Sequence, residues 1–511
     1  MNLFSVKLLR TIIIVSLFIE LISCNSVNHF NEKYEKKISV KKLKSDIDFV
    51  HQKLNKLHPH LYDFIAKKDL DFKFDSLKNS INTPINRQEF YFKISPIIAS
   101  IKQGHTRINV PTKKHTKSDI IEVQKNGLTP ISKFKFEFYN DKLYIIENNS
   151  YDSTIKTGTE VVTIDSVRPI DMFSIYQKGI TSDGYNQTFQ KRSFSSNFSV
   201  YYFLTYDLKD SVLLKLKIDN EITTKYINRK FKAKKQSVSK EKFDLLAHYK
   251  KTANSSGDLS FIGEDSCTAL LKVAHFSGDK YKEYFAKIDS IGSTELILDF
   301  RNNPGGSLQK SGKLFSYLID STYHYVFPFE VTSRTSILHT NRFRYKSIPL
   351  KIIHIAFLPL KIISSGLSLL FIKKEDNRYF DHKMTQSVKP AKENTFNGEI
   401  YTITNGGSFS APCILSSNLK GYNLATFVGE ETGGCYNGAT AGLLPTFTLP
   451  HSQLNIIFGL LYVKPSCSSE TQGRGIMPDK EIIPTLEDRI NKVDPELEWI
   501  LEEIKNRRKE Y

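Results

Sequence analysis

Two short apolar runs, Glu295-Leu-Ile-Leu-Asp-Phe300 and Ile400-Tyr-Thr-Ile-Thr404, each lead into a glycine turn, and this repeated device most constrains the fold. An uninterrupted apolar run of that length reads as a strand buried on both faces, which needs helices above and below it. The surrounding order supplies them. Ala269 to Phe276 reads as a strand, Lys280 to Ile291 as a helix turning Tyr284, Phe285 and Ile288 inward, and Gln309 to Ile319 as another helix. The alternation predicts an α/β core over about 255–490, followed by a C-terminal helix within 491–511. Residues 321–395 interrupt it. Within them Leu350 to Ile372 is rich in Ile and Leu but broken by Pro359 and Lys361, so a helical lid or interfacial insert is expected in place of a membrane span.

Before the core, two further regions differ in pattern. From 41 to 112 the spacing is helical: Ile47, Val50, Leu54 and Leu57 share a face that ends at His58-Pro59, and Phe90 to Ile101 continue the pattern. Gly104 breaks the helix, and Thr106 to Val110 alternates like a strand. From 120 to 235 short β-type runs take over: Phe134–Phe138, Leu143–Ile146, Glu160–Ile164 and Val212–Leu216. Within them Lys156-Thr-Gly-Thr-Glu-Val-Val-Thr-Ile-Asp165 resembles a hairpin of PDZ-like modules, which offer a sheet edge to an extended peptide. A polar linker is expected over 235–260.

The N-terminus carries an export signal. Lys7 and Arg10 precede the apolar run Thr11 to Ser23, which is too short for a comfortable membrane span. It ends Leu21-Ile22-Ser23-Cys24, which resembles a bacterial lipobox, so Cys24 is the expected lipidation site and residues 25–40 the tether. The expected location is the cell envelope, lipid-anchored to a bacterial membrane, with the outer membrane expected, facing the periplasm or the surface. Five cysteines are too few for a disulfide-built scaffold, and without a C-x-x-C pair no Cys-based zinc site is expected. The formal net charge of +18 invites a nucleic-acid reading, but no zinc knuckle, helix-turn-helix or RNP-type signature accompanies it. Lysines are spread through every segment, which suits anionic headgroups or acidic peptides better.

Three segments carry chemistry. Asn302-Asn-Pro-Gly-Gly306 can fold with its amides inward, as the oxyanion of acyl transfer requires. Asn405-Gly-Gly-Ser-Phe-Ser410 delivers hydroxyls to the start of a helix, where free amides and the dipole favour an oxyanion. The G-x-S-x-G elbow of α/β-hydrolases would demand glycine at 410, and Ser410 stands there instead. Gly104-His105-Thr106 places a histidine at a helix-to-strand break.

In chain order, Gly104-His-Thr106, Leu298-Asp-Phe-Arg-Asn-Asn-Pro-Gly-Gly306, Thr404-Asn-Gly-Gly-Ser-Phe-Ser-Ala411, Val428-Gly-Glu-Glu-Thr-Gly-Gly434 and Gly473-Arg-Gly-Ile-Met-Pro-Asp479 resemble the motifs of the tail-specific proteases, serine peptidase family S41. The resemblance implies a ClpP/crotonase-like α/β core that hydrolyses polypeptides through an acyl-serine, without cofactor or metal. It implies Ser410 as nucleophile and the amides of Ala411 and of Gly305 or Gly306 as oxyanion hole. Where the processing-protease branch places a lysine base, this chain has Cys435. Gly-His-Thr matches the branch that uses histidine, which implies His105 as general base. A carboxylate should orient its far nitrogen; Glu430, Glu431 and Glu470 are the candidates, because Gln103 stands where the family often has Asp. The alternative is a protein that kept this fold as a binder of peptide or hydrophobic ligands and lost catalysis.

Overall fold

The computed structural model describes residues 27–127, 129–206, 209–218, 220–229, 258–263, 267–340, 360, 363–382, 392 and 395–510. Cys24, most of the expected linker and residues 350–359 therefore lie outside the described residues.

At the centre stands a six-stranded sheet. Glu295–Asp299 lies between Thr268–Lys272 and Glu399–Thr404, all parallel. Thr426–Gly429 and Lys480–Glu481 extend the sheet in parallel on one side, and Leu259–Ile262 closes the other edge antiparallel. Every residue of Glu295–Asp299 is buried, because successive side chains leave on opposite faces and both faces are covered. Leu296 and Leu298 pack with Tyr284, Phe285, Leu314, Ile414 and Leu415 from the helices Tyr281–Ile291, Leu308–Phe315 and Ala411–Gly421. Ile297, with Tyr401 and Ile403, meets Leu497, Ile500 and Ile504 of the C-terminal helix Pro495–Glu510. Arg301 fastens that helix to the strand end, its guanidinium bonded to Asp299 at 2.9 Å and to Asp494 at 2.8 Å.

The helical region does not close by itself. Val40–Leu57, Lys67–Ser80 and Arg87–Ala99 bury Ile47, Val50, Leu54, Phe90 and Ile94 against Phe447, Leu449, Ile456 and Phe458 from the far end of the chain. The first helix stops at His58, whose extended backbone is what a residue before proline favours. The expected strand after His105 shrinks to Arg107–Ile108, paired antiparallel with Asn455–Ile457.

Residues 130–228 hold an antiparallel sheet of Phe134–Tyr139, Lys142–Asn148, Glu160–Ile164, Ser211–Ile218 and Glu221–Asn228, in that order. The β-type reading of 120–235 needs correction between its strands, where Pro169–Tyr176, Thr188–Ser196 and Phe198–Tyr206 are helices. The aromatic run Phe198-Ser-Val-Tyr-Tyr-Phe-Leu-Thr-Tyr206 has strand-favouring composition, yet Phe198 and Tyr202 fall one turn apart and bury together beneath the sheet.

Of the expected helical lid or insert over 350–372, residues 363–368 are helical and Leu369–Phe371 form a 3-10 turn, while the described ends of the 321–395 interruption are strands. Phe329–Val331, Ile372–Glu375 and Arg378–Asp381 join Leu461–Val463 and Ala439–Ala441 in one five-stranded antiparallel sheet, so the ends of the insert are woven into the core. Among the described residues no helix is long and apolar enough to cross a membrane.

Candidate active site

Both glycine turns leave the carboxyl ends of neighbouring parallel strands, where open α/β sheets place their ligands. They are laced together. The Asn302 amide donates to the side-chain oxygen of Asn405 at 3.0 Å, and the Phe409 amide to the Asn303 carbonyl at 2.9 Å. Asn303 in turn donates from Nδ2 to the Val273 carbonyl at 2.7 Å and accepts from the Gly305 amide at 2.9 Å.

Ser410 caps the helix Ala411–Gly421 with φ +73° and ψ −117°. A non-glycine residue there is strained by about 1–3 kcal/mol and persists only where its surroundings dictate it. Here they do. A Cβ on Gly305 would stand 2.8 Å from the Ser410 Cβ, and one on Gly434 would stand 3.2 Å from the Ser410 nitrogen. Close approach that the hydrolase elbow obtains from glycines two positions away is obtained here from glycines on two other loops. Ser408, the nearby alternative, is fully buried, donates to the Phe300 carbonyl at 2.8 Å and accepts from the Asn405 amide at 3.1 Å. It holds the turn.

The Ser410 hydroxyl lies 3.1 Å from His105 Nε2. His105 is buried against the Phe409 ring, and burial, with Arg107 nearby, pushes its pKa down to about 4. The threonine of Gly-His-Thr supports the turn from behind: Thr106 Oγ1 lies 2.7 Å from Nε2 of the buried His58. Of the three expected oxyanion donors, Gly305 is corrected, since its amide is committed to Asn303. The Gly306 amide, at φ +134°, has no partner among the described residues, and Ala411 begins a helix whose first amides have none within it.

The expected orienting carboxylates are not there. His105 Nδ1 is buried without a hydrogen-bond partner. Glu431 is held by Arg474, bonded at 2.9 and 2.6 Å, and by the Gly475 amide at 2.7 Å, which joins the fourth motif to the fifth. Glu430 lies beside the Gly406 amide at 3.4 Å and Arg489 at 4.0 Å, and Glu470 is exposed.

Residues 267–482 match the profile of Peptidase family S41. That segment is an S41 peptidase domain. This makes it a serine-type peptidase, whose substrates are polypeptides. Among solved structures, that of mature CPAF complexed with lactacystin aligns over 91% of this chain and 98% of its own, at 13% identity and a TM-score of 0.59. Mature CPAF alone aligns over 90% and 96%, at 12% identity and 0.57. The photosystem II D1 C-terminal processing protease aligns over 88% and 96%, at 12% identity and a TM-score of 0.38. No curated protein matches by sequence. At these identities the CPAF likeness speaks for the fold, which extends well beyond the matched S41 segment.

A cavity of about 200 Å³ contains the pair. His105, Ser410, Gly306 and Ala411 line it, with Leu308, Ile414, Leu444 and Val463 and the small residues Ala439 and Gly442 as an apolar remainder. Cys413 and Cys435 line it as free thiols, and burial pushes the first up to about 12 and raises the second too. Both stay protonated at neutral pH, so Cys435 cannot replace the lysine base of the processing-protease branch. Among the described residues no group of His, Cys, Asp and Glu could hold a metal ion.

Proposed function

We propose that this S41 peptidase is an endopeptidase working through Ser410 and His105, held on an envelope membrane by lipid on Cys24. The observation that carries the catalytic part is the strained Ser410 at a helix N-terminus with its Oγ 3.1 Å from His105 Nε2. Ser410 Oγ attacks the scissile carbonyl as His105 Nε2 takes its proton; the carbonyl oxygen becomes an oxyanion facing the Gly306 and Ala411 amides. Collapse breaks the C–N bond, and His105 returns the proton to the leaving amine. Water then repeats the sequence on the acyl-serine, releasing the new carboxylic acid. A lowered histidine pKa keeps the imidazole neutral, and thus able to accept a proton, across the neutral range.

The test is labelling of the purified protein with a fluorophosphonate, followed by mass spectrometry of the modified peptide. Covalent modification at Ser410, absent in Ser410→Ala, is expected. Modification of Ser408, or none, sinks the assignment and favours the binding-protein alternative. The anchor is tested separately: Cys24→Ala should move the protein from the membrane to the soluble fraction.

A further inference from the structure

His105 lacks what a catalytic imidazole needs at its far side, yet one carboxylate does line its cavity. Asp183 is 2% exposed and shares that cavity with His105 and Ser410. Its Oδ1 accepts the Gly104 amide at 2.6 Å, and its Oδ2 the Cys435 amide at 3.4 Å. Around it the segment 181–184 grips the residues before His105. Thr181 Oγ1 donates to the Gly104 carbonyl at 3.1 Å, and the Gly184 amide to the Lys102 carbonyl at 2.8 Å. Gly104 has no room to shift, for a Cβ there would meet the Phe409 ring at 2.6 Å and Asp183 Oδ1 at 3.1 Å. Among the described residues no lysine or arginine pairs with Asp183. A buried carboxylate held by amides alone costs a fold stability.

We infer that Asp183 is the positioning carboxylate of this site: through the Gly104 amide it holds the Gly-His-Thr turn with Nε2 on Ser410, and its charge steadies the imidazolium that forms when His105 takes the serine proton. The inference rests on the Ser410–His105 reading above. It differs from a purely structural role in sign. An asparagine keeps an oxygen for the Gly104 amide, gives up only the long 3.4 Å acceptor of the Cys435 amide and removes the unpaired charge, so it should leave stability unchanged or improved while harming the proton transfer.

The experiment compares wild type, Asp183→Asn and Thr181→Ala by fluorophosphonate labelling of Ser410, separating the maximal inactivation rate from the half-saturating concentration, with a thermal melt of each. Asp183→Asn should label ~10- to 100-fold more slowly at saturation, with half-saturation within about twofold and a melting temperature no lower than wild type. Thr181→Ala, which removes one bond to Gly104 and no charge, should slow labelling by a smaller factor, about 2- to 5-fold. An Asp183→Asn protein that folds and labels at the wild-type rate overturns the inference. If that variant does not fold, its need for the charge is structural, and an unaltered rate in Thr181→Ala overturns the rest. Wild type that fails to label overturns the peptidase assignment instead.

Discussion

The two halves of the site are built on opposite plans. On the serine side, both turns leave adjacent strands of one sheet, and nearly every polar group is spent. Asn302, Asn303, Asn405 and Ser408 bond across the gap, so the backbone strain at Ser410 is borne by short-range contacts. On the histidine side, the imidazole comes from 305 residues away, at the edge of the helical region, and its Nδ1 has no partner. Thr106 leans on His58, and Gly104 on Asp183. The serine half is thus over-determined by the fold. The histidine half depends on how three distant segments pack, and it should fail by graded steps where the serine half fails outright.

The largest expected effect is on the serine side. Ser410→Ala should lower peptide hydrolysis by ~10⁴- to 10⁶-fold with little change in stability, since the hydroxyl bonds only to His105 and the alanine methyl fits the same space. Ser408→Ala reverses the pattern. It strips partners from the Phe300 carbonyl and the Asn405 amide and should cost about 1–3 kcal/mol in chemical denaturation. If Ser408→Ala were the inactive but stable one, the two serines would have to exchange roles.

Next in size is the histidine. His105→Ala should reduce kcat by several orders of magnitude and leave KM nearly unchanged, because in the proposed mechanism its imidazole acts on the serine proton and not on substrate binding. Gly305→Ala tests the shared boundary. Its methyl would sit 3.1 Å from Ser410 Oγ, on a residue at φ +112°, so the turn must shift. It should abolish fluorophosphonate labelling while His105 stays in place; normal labelling would show that the serine turn is looser than its bonding suggests.

The same contrast explains what could be read from the residues alone. Glycine turns at the ends of apolar runs are local signals, because a tight turn and inward amides need glycine where the chain needs them; the two turns are legible for that reason, whereas Ser410, Ala411 and Gly305 or Gly306 are singled out within them only by the resemblance to the S41 motifs. His105 was legible only through its Gly-His-Thr setting, since a lone histidine carries no spacing signal. Asp183 was not legible. Ile180-Thr-Ser-Asp-Gly184 has the composition of an ordinary turn, and it lies among helices whose aromatic content reads as strand. Glu430 and Glu431 stand in the fourth motif as candidate carboxylates, but Glu431 is consumed by Arg474, a partner 43 residues away. The strands at the ends of the insert were not legible for a related reason: short strands such as Phe329–Val331 acquire their sheet only from Arg378–Asp381 and Leu461–Val463, which no local pattern announces.

The smallest effect is a pH dependence of stability that belongs to the histidine side. In the unfolded chain His105 titrates at the ordinary 6.5, and in the fold its burial lowers this to about 4. Between those values the unfolded chain holds a proton that the folded chain refuses, so stability is whole above pH 6.5, falls as the pH drops, and levels off below about 4. His58, equally buried and also lowered to about 4, adds a loss of the same sign. Asp183 works in opposition. Burial raises its carboxyl to about 6, so its share of stability is present at low pH and lost as pH rises through the window from 3.8 to 6. Glu496, raised by burial to about 7, acts with the same sign as Asp183, so denaturation of wild type at pH 7 and 4.5 mixes these groups, and variants must separate them. His105→Gln should shrink the loss between pH 7 and 4.5 by about 2–3 kcal/mol, because its amide has no proton to refuse. Asp183→Asn should enlarge the same loss by removing a group that acid favours. If His105→Gln leaves the acid slope unchanged, the imidazole is open to solvent in the working protein, and the closed histidine half described above is wrong.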